Sequence, residues 1–463
     1  MSRLFKLIIL QLRYTWQAWI GALVVFIAAG VVLGVTMIGA ISTISVHLDH
    51  GNYNPVAFFA TPAIFGLITL MLILTGITRL LITKFKTDYN LWAILGANPN
   101  QLALLIGGQM SLSGMIGGFL GYFLALPIVR TYYAWVISTP GMREFPAINM
   151  KLQLSSLTLT VLILGVFIGI TGIINAKKVF SGGHKVHRLT KKRSCNLSIL
   201  GWLWCIMMVG CLAYVYLLFF QGPTRLAAVF GGHSLVETYS QALLALIFLM
   251  IMTINAAETV ILPGLVKLLT LVFPTTLIKT FKTAYWNVLD KKEFLKTIAV
   301  PLAIFSLIAS FFMYMIFDLA NVASKRNLAE IVGTLSLFLG APFLIILANT
   351  ISLTIISSSE RTTSIRQLQL IGFSLKDLMT EKRIEAEIYG LIVFIQAAIG
   401  NALLFVPILK ASDKTHTYMF DSWWSIFEWP AVTGTLVFLF ILIVDGSYNY
   451  KIYSQNRFNV TQK

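Results

Sequence analysis

Amide and carboxyl side chains inside long apolar runs are the residues of this sequence best placed to do chemistry. A charge or unpaired amide in hydrocarbon is costly and is kept where it has a partner or a task. Gln109, Asn255, Glu258, Asn349 and Glu385 stand in or at such runs, together with Gln396 and Asn401. Two roles suit them. They line a path for a polar solute, or they hydrogen-bond between helices, with Glu258 neutralised by a lysine such as Lys267. His47, Asp49 and His50 in the stretch HLDHG are metal-ligand types, but a metal needs three or four converging ligands with outer support, so a solvated loop is expected and no metal. No nucleophile, acid and base trio stands out. No Gly-x4-Gly-Lys-Ser/Thr phosphate loop occurs, so the chain is expected to bind no ATP itself and not to be an enzyme. Cys195, Cys205 and Cys211 are too few for a disulfide framework and read as packing residues.

The elements that position these residues are set by composition. Of 463 residues, 57% are hydrophobic and 11% charged, against roughly 25% charged in a soluble domain. Lipid offers backbone N–H and C=O groups no partner, so a spanning segment must be a helix of roughly 20 apolar residues. Windows of that kind fall near residues 18 to 45, 57 to 83, 102 to 128, 154 to 176, 197 to 220, 239 to 266, 297 to 317, 333 to 357, 386 to 409 and 430 to 447, about ten spans in all. Glycines 107, 108, 114, 117, 118 and 121 either kink the third span or let another helix approach it closely.

Lysine and arginine are retained on the cytoplasmic side during insertion. With the N-terminus inside, 27 of the 35 basic residues fall in inner segments, which places both termini in the cytoplasm. Topology and attraction to anionic lipid thus account for the net charge of +17, and a nucleic-acid partner is excluded. Arg3, Lys6, Arg13 and Gln17 recur among Leu4, Phe5, Leu7, Ile8, Leu12 and Trp16 as in an interfacial amphipathic helix. No short apolar core precedes a small-residue cleavage site, so no removable signal peptide is expected. The run KKVFSGGHKVHRLTKKR from Lys177 reads as a cytoplasmic linker. Trp423, Trp424, Phe427 and Trp429 read as an interfacial belt.

A repeat is visible. LWAILGANPNQLALLIGGQMSLSGMIGG from Leu91 and RQLQLIGFSLKDLMTEKRIEAEIYG from Arg366 align at one offset of 276 residues (372 less 96), pairing Gly96 with Gly372, Leu95 with Ile371, Leu102 with Leu378 and Gln109 with Glu385. The expected fold is an all-α integral membrane protein made of two four-helix repeats plus two linking helices. Residues 1–180 form the first repeat with its interfacial helix, 181–296 the basic linker and linking helices, and 297–463 the second repeat.

This pattern resembles the FtsX-like (MacB-type) permease family of ABC transporters, whose motif runs leucine, glycine, a small residue, a polar turn, an amphipathic segment and a glutamate entering a glycine-rich span. Leu95, Gly96, Ala97, Asn98 and Gln101 fit one copy, and Gly372, Ser374, Lys376 and Glu385 the other. The chain departs from it in Gln109, where the glutamate usually stands, and in Phe373 after the second glycine. The ten-span arrangement is similar to bacitracin-resistance-type permeases, except that the large extracellular domain between the seventh and eighth spans is missing. The resemblance implies a permease subunit in the plasma membrane of a Gram-positive bacterium. It would export, or extract from the membrane, a hydrophobic or amphipathic compound such as a peptide, bacteriocin or lipid. The implied partners are membrane lipid and a cytoplasmic ABC ATPase, two copies per permease, which would bind the ATP and Mg. An accessory membrane or sensor subunit is left open. Trp92, Leu95, Gly96, Asn98 and Gln101, with Gln367, Ile371, Gly372, Ser374 and Lys376, are the residues expected to couple to that ATPase. Two alternatives stand beside this reading: an ion-coupled secondary transporter, and a membrane signalling protein that transmits mechanical movement without transport.

Overall fold

In a computed structural model, described for residues 2–44, 56–94, 96–138, 148–181, 199–231, 234–272, 279–290, 292–322, 328–415 and 423–460, every element is an α-helix. In chain order these are α1 (Ser2–Tyr14), α2 (Trp16–Ile44), α3 (Val56–Lys84), α4 (Lys86–Ile94), α5 (Pro99–Ser138), α6 (Leu154–Ser181), α7 (Ile199–Gln221), α8 (Pro223–Phe230), α9 (Leu235–Val272), α10 (Lys279–Asp290), α11 (Lys292–Val322), α12 (Leu328–Leu370), α13 (Leu375–Thr415) and α14 (Ser425–Val460). Nine are long and apolar enough, among the described residues, to cross a membrane. The span expected at 333 to 357 lies in α12, whose described apolar stretch, Leu339–Leu353, is shorter than the rest. The chain is a multi-pass membrane protein by the length and composition of these helices. The HLDHG stretch lies outside the described residues.

The helices gather into two compact units, Met1–Lys192 with Arg326–Ser357, and Arg193–Lys325 with Ser358–Lys463. The helical stretch at 328–357, grouped by sequence order with 297–463, clusters with the first six helices.

The 276-residue offset seen in the two turns also governs the helix boundaries. Shifted by it, α1 becomes 278–290, α2 292–320, α5 375–414 and α6 430–457, against the observed α10, α11, α13 and α14. The counterpart of the N-terminal amphipathic helix is therefore α10, which sequence reading placed in the linker segment.

In the first unit α5 runs unbroken for 40 residues, and its glycines serve close approach. A Cβ on Gly121 would stand 2.5 Å from the Ile27 carbonyl oxygen, and one on Gly30 of α2 would stand 2.6 Å from the Gly117 carbonyl oxygen. No side chain fits there, so α2 and α5 touch backbone to backbone. At the far end of α5 the Tyr122 hydroxyl accepts a hydrogen bond from the Gln153 N–H, and Arg130 donates to the Met150 carbonyl. Both bonds fix the segment leading into α6. In α1, Ile8 packs where Gly108 of α5 leaves room, while Lys6 and Arg13 are exposed.

In the second unit α11 is the central helix, with every residue from Leu302 to Phe312 buried. Gly390 of α13 and Gly434 of α14 each face the other's carbonyl oxygen, at 3.0 Å from the position a Cβ would take. Thr280, Ala284 and Val288 form the buried face of α10, which packs on α13, while Lys282 and Trp286 are exposed.

Gly121→Val is expected to lower stability by about 3 kcal/mol, an overpacking penalty at the upper end because the obstacle is backbone. Gly210→Val in α7, where a Cβ meets nothing within 4 Å, should be nearly silent. Thermal unfolding of both variants in the same detergent checks the contrast.

Candidate functional site

The α4–α5 and α12–α13 connections are built alike. Gly96 and Gly372 have φ of +93° and +92°, a left-handed conformation that glycine adopts without a steric penalty. Immediately after each glycine an N–H reaches back five residues to a carbonyl of the preceding helix. Ala97 bonds Trp92 at 2.9 Å, and Phe373 bonds Leu368 at 3.1 Å, the same bond at the same offset. This is the six-to-one closure that ends a helix on a glycine. The next helix then starts on a polar cap in each case. The Asn98 N–H donates to Gln101 Oε1 at 3.1 Å, and the Ser374 N–H donates to Asp377 Oδ2 at 3.1 Å. Leu102 and Leu378 bond the carbonyls of Asn98 and Ser374 and are both buried. Each connection is thus a pre-formed reciprocal cap.

Of the residues expected at these turns, Gly96, Asn98, Gln101, Gln367, Ile371, Gly372, Ser374 and Lys376 are exposed, and Trp92 is half-buried; Leu95 lies outside the described residues. Apolar side chains crown both turns. Ile94 is 78% exposed, and its counterpart Leu370 and the adjoining Ile371 are 84% and 76% exposed. Tyr89 anchors α4 from below, buried with its ring 5.9 Å from that of Phe180 in α6. Burial, reinforced by the neighbouring Asp88, pushes the Tyr89 phenol up, so it stays protonated at any working pH.

Beneath the turns the two elements differ in chemistry. In α13, Glu381, Lys382 and Glu385 are all buried; Lys382 is paired with Glu385 and lies 3.4 Å from Glu381. Asn287 of α10 donates to Glu381 at 2.6 Å. The counterparts of Glu381, Lys382, Glu385 and Asn287 are Leu105, Ile106, Gln109 and Gln11. Sequence reading singled out Glu385 and passed over Glu381, Lys382 and Asn287. The signal that finds them is the offset itself, which sets a charged pair against an apolar one.

The remaining intramembrane candidates separate. Glu258 of α9 is buried and ion-paired with a lysine, Lys296 of α11, a different helix from the one that supplies Lys267. Packing of α9 against α11 brings the two together, whereas Lys267 lies nine residues further along the Glu258 helix. Asn255, on the same helix, is exposed at the surface of its unit. Asn349 of α12 is buried in the first unit. Gln109 is buried, and its Nε2 makes no hydrogen bond among the described residues. Asn401 donates to the Ser310 hydroxyl at 2.6 Å and to the Ile426 carbonyl at 3.2 Å. Trp423 and Trp424 are exposed at the start of α14. Among the described residues no group of three metal-ligating side chains converges. The chain matches no protein-family model and no curated protein sequence.

Two predictions follow from this chemistry. Gly96→Ala and Gly372→Ala meet no steric obstacle, so any loss comes from φ alone; each should cost about 1–2 kcal/mol in thermal unfolding. Lys382→Ala removes the buried cation paired with Glu385 and 3.4 Å from Glu381, and should cost about 3–5 kcal/mol. The triple change Glu381→Leu, Lys382→Ile, Glu385→Gln, which installs the counterpart residues, should lose far less in the same assay.

Proposed function

We propose that this chain is the membrane subunit of an ATP-driven transporter of the FtsX-like type, with the ATPase a separate polypeptide. The observation that carries the reading is the pair of capped glycine turns, each with exposed apolar tips and each continuous with a long rod. A driving subunit needs a rigid handle outside the membrane. At 1.5 Å per residue α5 and α13 are about 60 Å long, roughly twice the hydrocarbon thickness of a bilayer, so force applied at a turn is carried along one continuous helix, past Pro127 in α5 and Pro407 in α13. Two handles of one design suit two copies of one ATPase, which would bind ATP and Mg. Surface Ile94, Leu370 and Ile371 beside Gln101, Gln367 and Lys376 supply the apolar centre and polar rim of a protein contact.

Movement of the rods would extract or export a hydrophobic or amphipathic compound such as a peptide, bacteriocin or lipid, with no wide aqueous pore required, across the plasma membrane of a Gram-positive cell. The competing reading, ion-coupled transport, draws on buried Glu258, Glu381 and Glu385. It predicts matching membrane acids at both copies, whereas the counterparts of Glu381 and Glu385 are Leu105 and Gln109. The signalling alternative keeps the same handles and differs only in what the rods act upon.

The test is co-purification of the tagged chain with a candidate ABC ATPase, one with a Walker A motif sought in the adjacent reading frame. Stable association is expected, lost when both Gly96 and Gly372 are changed to arginine but kept in Tyr14→Arg, at an exposed position outside the candidate spans. Absence of any associated ATPase in the intact chain would sink the reading.

A further inference from the structure

Where the first unit fills the contact between α2 and its rod α5 with glycine and alanine, the second has serine and asparagine between α11 and α13. At the 276-residue offset the counterparts of Gly30, Gly34 and Ala125 are Ser306, Ser310 and Asn401. A Cβ on Gly34 would lie 2.8 Å from Ala125 Cβ, so α2 and α5 close on each other there with no polar atom between. At the equivalent point Asn401 Nδ2 of α13 donates to Ser310 Oγ of α11, with both residues fully buried. Ser306 lies four residues earlier on the same face of α11 and is also fully buried. Its hydroxyl makes no hydrogen bond among the described residues, nor do Asn401 Oδ1 and the Gln396 amide. An unpaired buried hydroxyl in a membrane helix is costly, and this one duplicates the berth that Asn401 occupies one turn away.

The helices are set for the exchange. Phe294 with Tyr389, Leu307 with Gly400, Ser310 with Asn401 and Tyr314 with Phe405 climb together along both chains, so α11 and α13 run parallel. A slide of α13 by one turn, about 5.4 Å, carries Asn401 from the level of Ser310 to that of Ser306. We propose that α13 has two stops against α11, Ser310 and Ser306, and that the second unit is a one-turn ratchet while the first is locked. Ratchets of one helical turn are an established way for packed helices to switch between discrete states. Helix α14 travels with α13 through the reciprocal Gly390–Gly434 contact. The lock on the other side is the backbone contact of Gly30, Gly117 and Gly121, where sliding forces Phe26 and the Ile27 carbonyl through the opposing helix.

The two stops belong to the chain alone; only the claim that ATP hydrolysis selects between them rests on the transporter reading. Spin labels at exposed Leu268 of α9 and Met379 of α13, in the full chain in lipid vesicles without ATPase, report the slide as a distance distribution. Two populations are expected. Ser306→Ala should remove one of them, and Ser310→Ala should shift the protein toward that same one. A matching pair at exposed Ile20 of α2 and Leu104 of α5 should give one population in every variant. A single population at Leu268 and Met379 that neither substitution changes overturns the ratchet, as does a shift in the same direction by both. Adding the ATPase with and without ATP is a separate arm: populations that answer to the serines but ignore ATP count against the transporter reading and leave the ratchet standing.

Discussion

The geometry of this protein depends on a backbone that can reverse its curvature at one residue and resume a helix within two. Gly96 and Gly372, at φ of +93° and +92°, do this. For any residue with a Cβ the left-handed conformation costs energy at every encounter, whereas glycine enters it freely. The consequence is mechanical. Since the six-to-one bond closes the incoming helix and the reciprocal cap opens the outgoing one, the described residues between the handle and the rod are tied by hydrogen bonds. A longer loop would have absorbed any applied force as its own flexing.

What the rods do beyond the turn depends on the smallest side chains. In α5, glycine at 117 and 121 removes the only obstacle between two backbones, and the contact gains dispersion and loses freedom together. Where α11 and α13 meet, the corresponding positions carry a hydroxyl on α11 and an amide on α13 in place of a hydrogen or methyl group. Polar pairs between membrane helices average about 0.6 kcal/mol, too little to fix a helix, yet they are directional and come in discrete registers. One helical scaffold is thus built as a weld on one side and as a set of stops on the other, by changes of two or three heavy atoms per residue.

Much of this was legible in the sequence, and the limits have physical causes. The spans were legible because hydrocarbon tolerates nothing but long apolar helices, and the turns because glycine, a polar cap and an apolar residue recur at one offset. The offset was taken from one short alignment, so α10 was read as linker although its boundaries repeat those of α1. Glu381 and Lys382 escaped notice because LKDLMTEKRIEAE reads by composition as a solvated face, and only packing against α10 and α11 buries them. A partner for Glu258 was sought along its own helix, where periodicity can look, and Lys296 stands on α11, where it cannot. The clustering of 328–357 with the first unit is a matter of tertiary packing, which no local pattern encodes.

The first unit also serves as an internal control on the second. Removing carboxylates and an ammonium group from water costs several kcal/mol per ion, and well-packed apolar residues commonly do as well or better in their place. At the same backbone positions in α5 the chain has Leu105, Ile106 and Gln109, under a turn of the same construction and along a rod of nearly the same length. The helical arrangement therefore has no need of Glu381, Lys382 and Glu385, and neither does the cap above them. Their cost is borne in one copy alone, on the same helix that carries Gln396 and Asn401 and opposite the helix that carries Ser306, Ser310 and Lys296. Stability does not explain that concentration. A seam whose polar groups can trade partners explains it, because each register offers its own directional hydrogen bond, and apolar side chains cannot distinguish one register from the next.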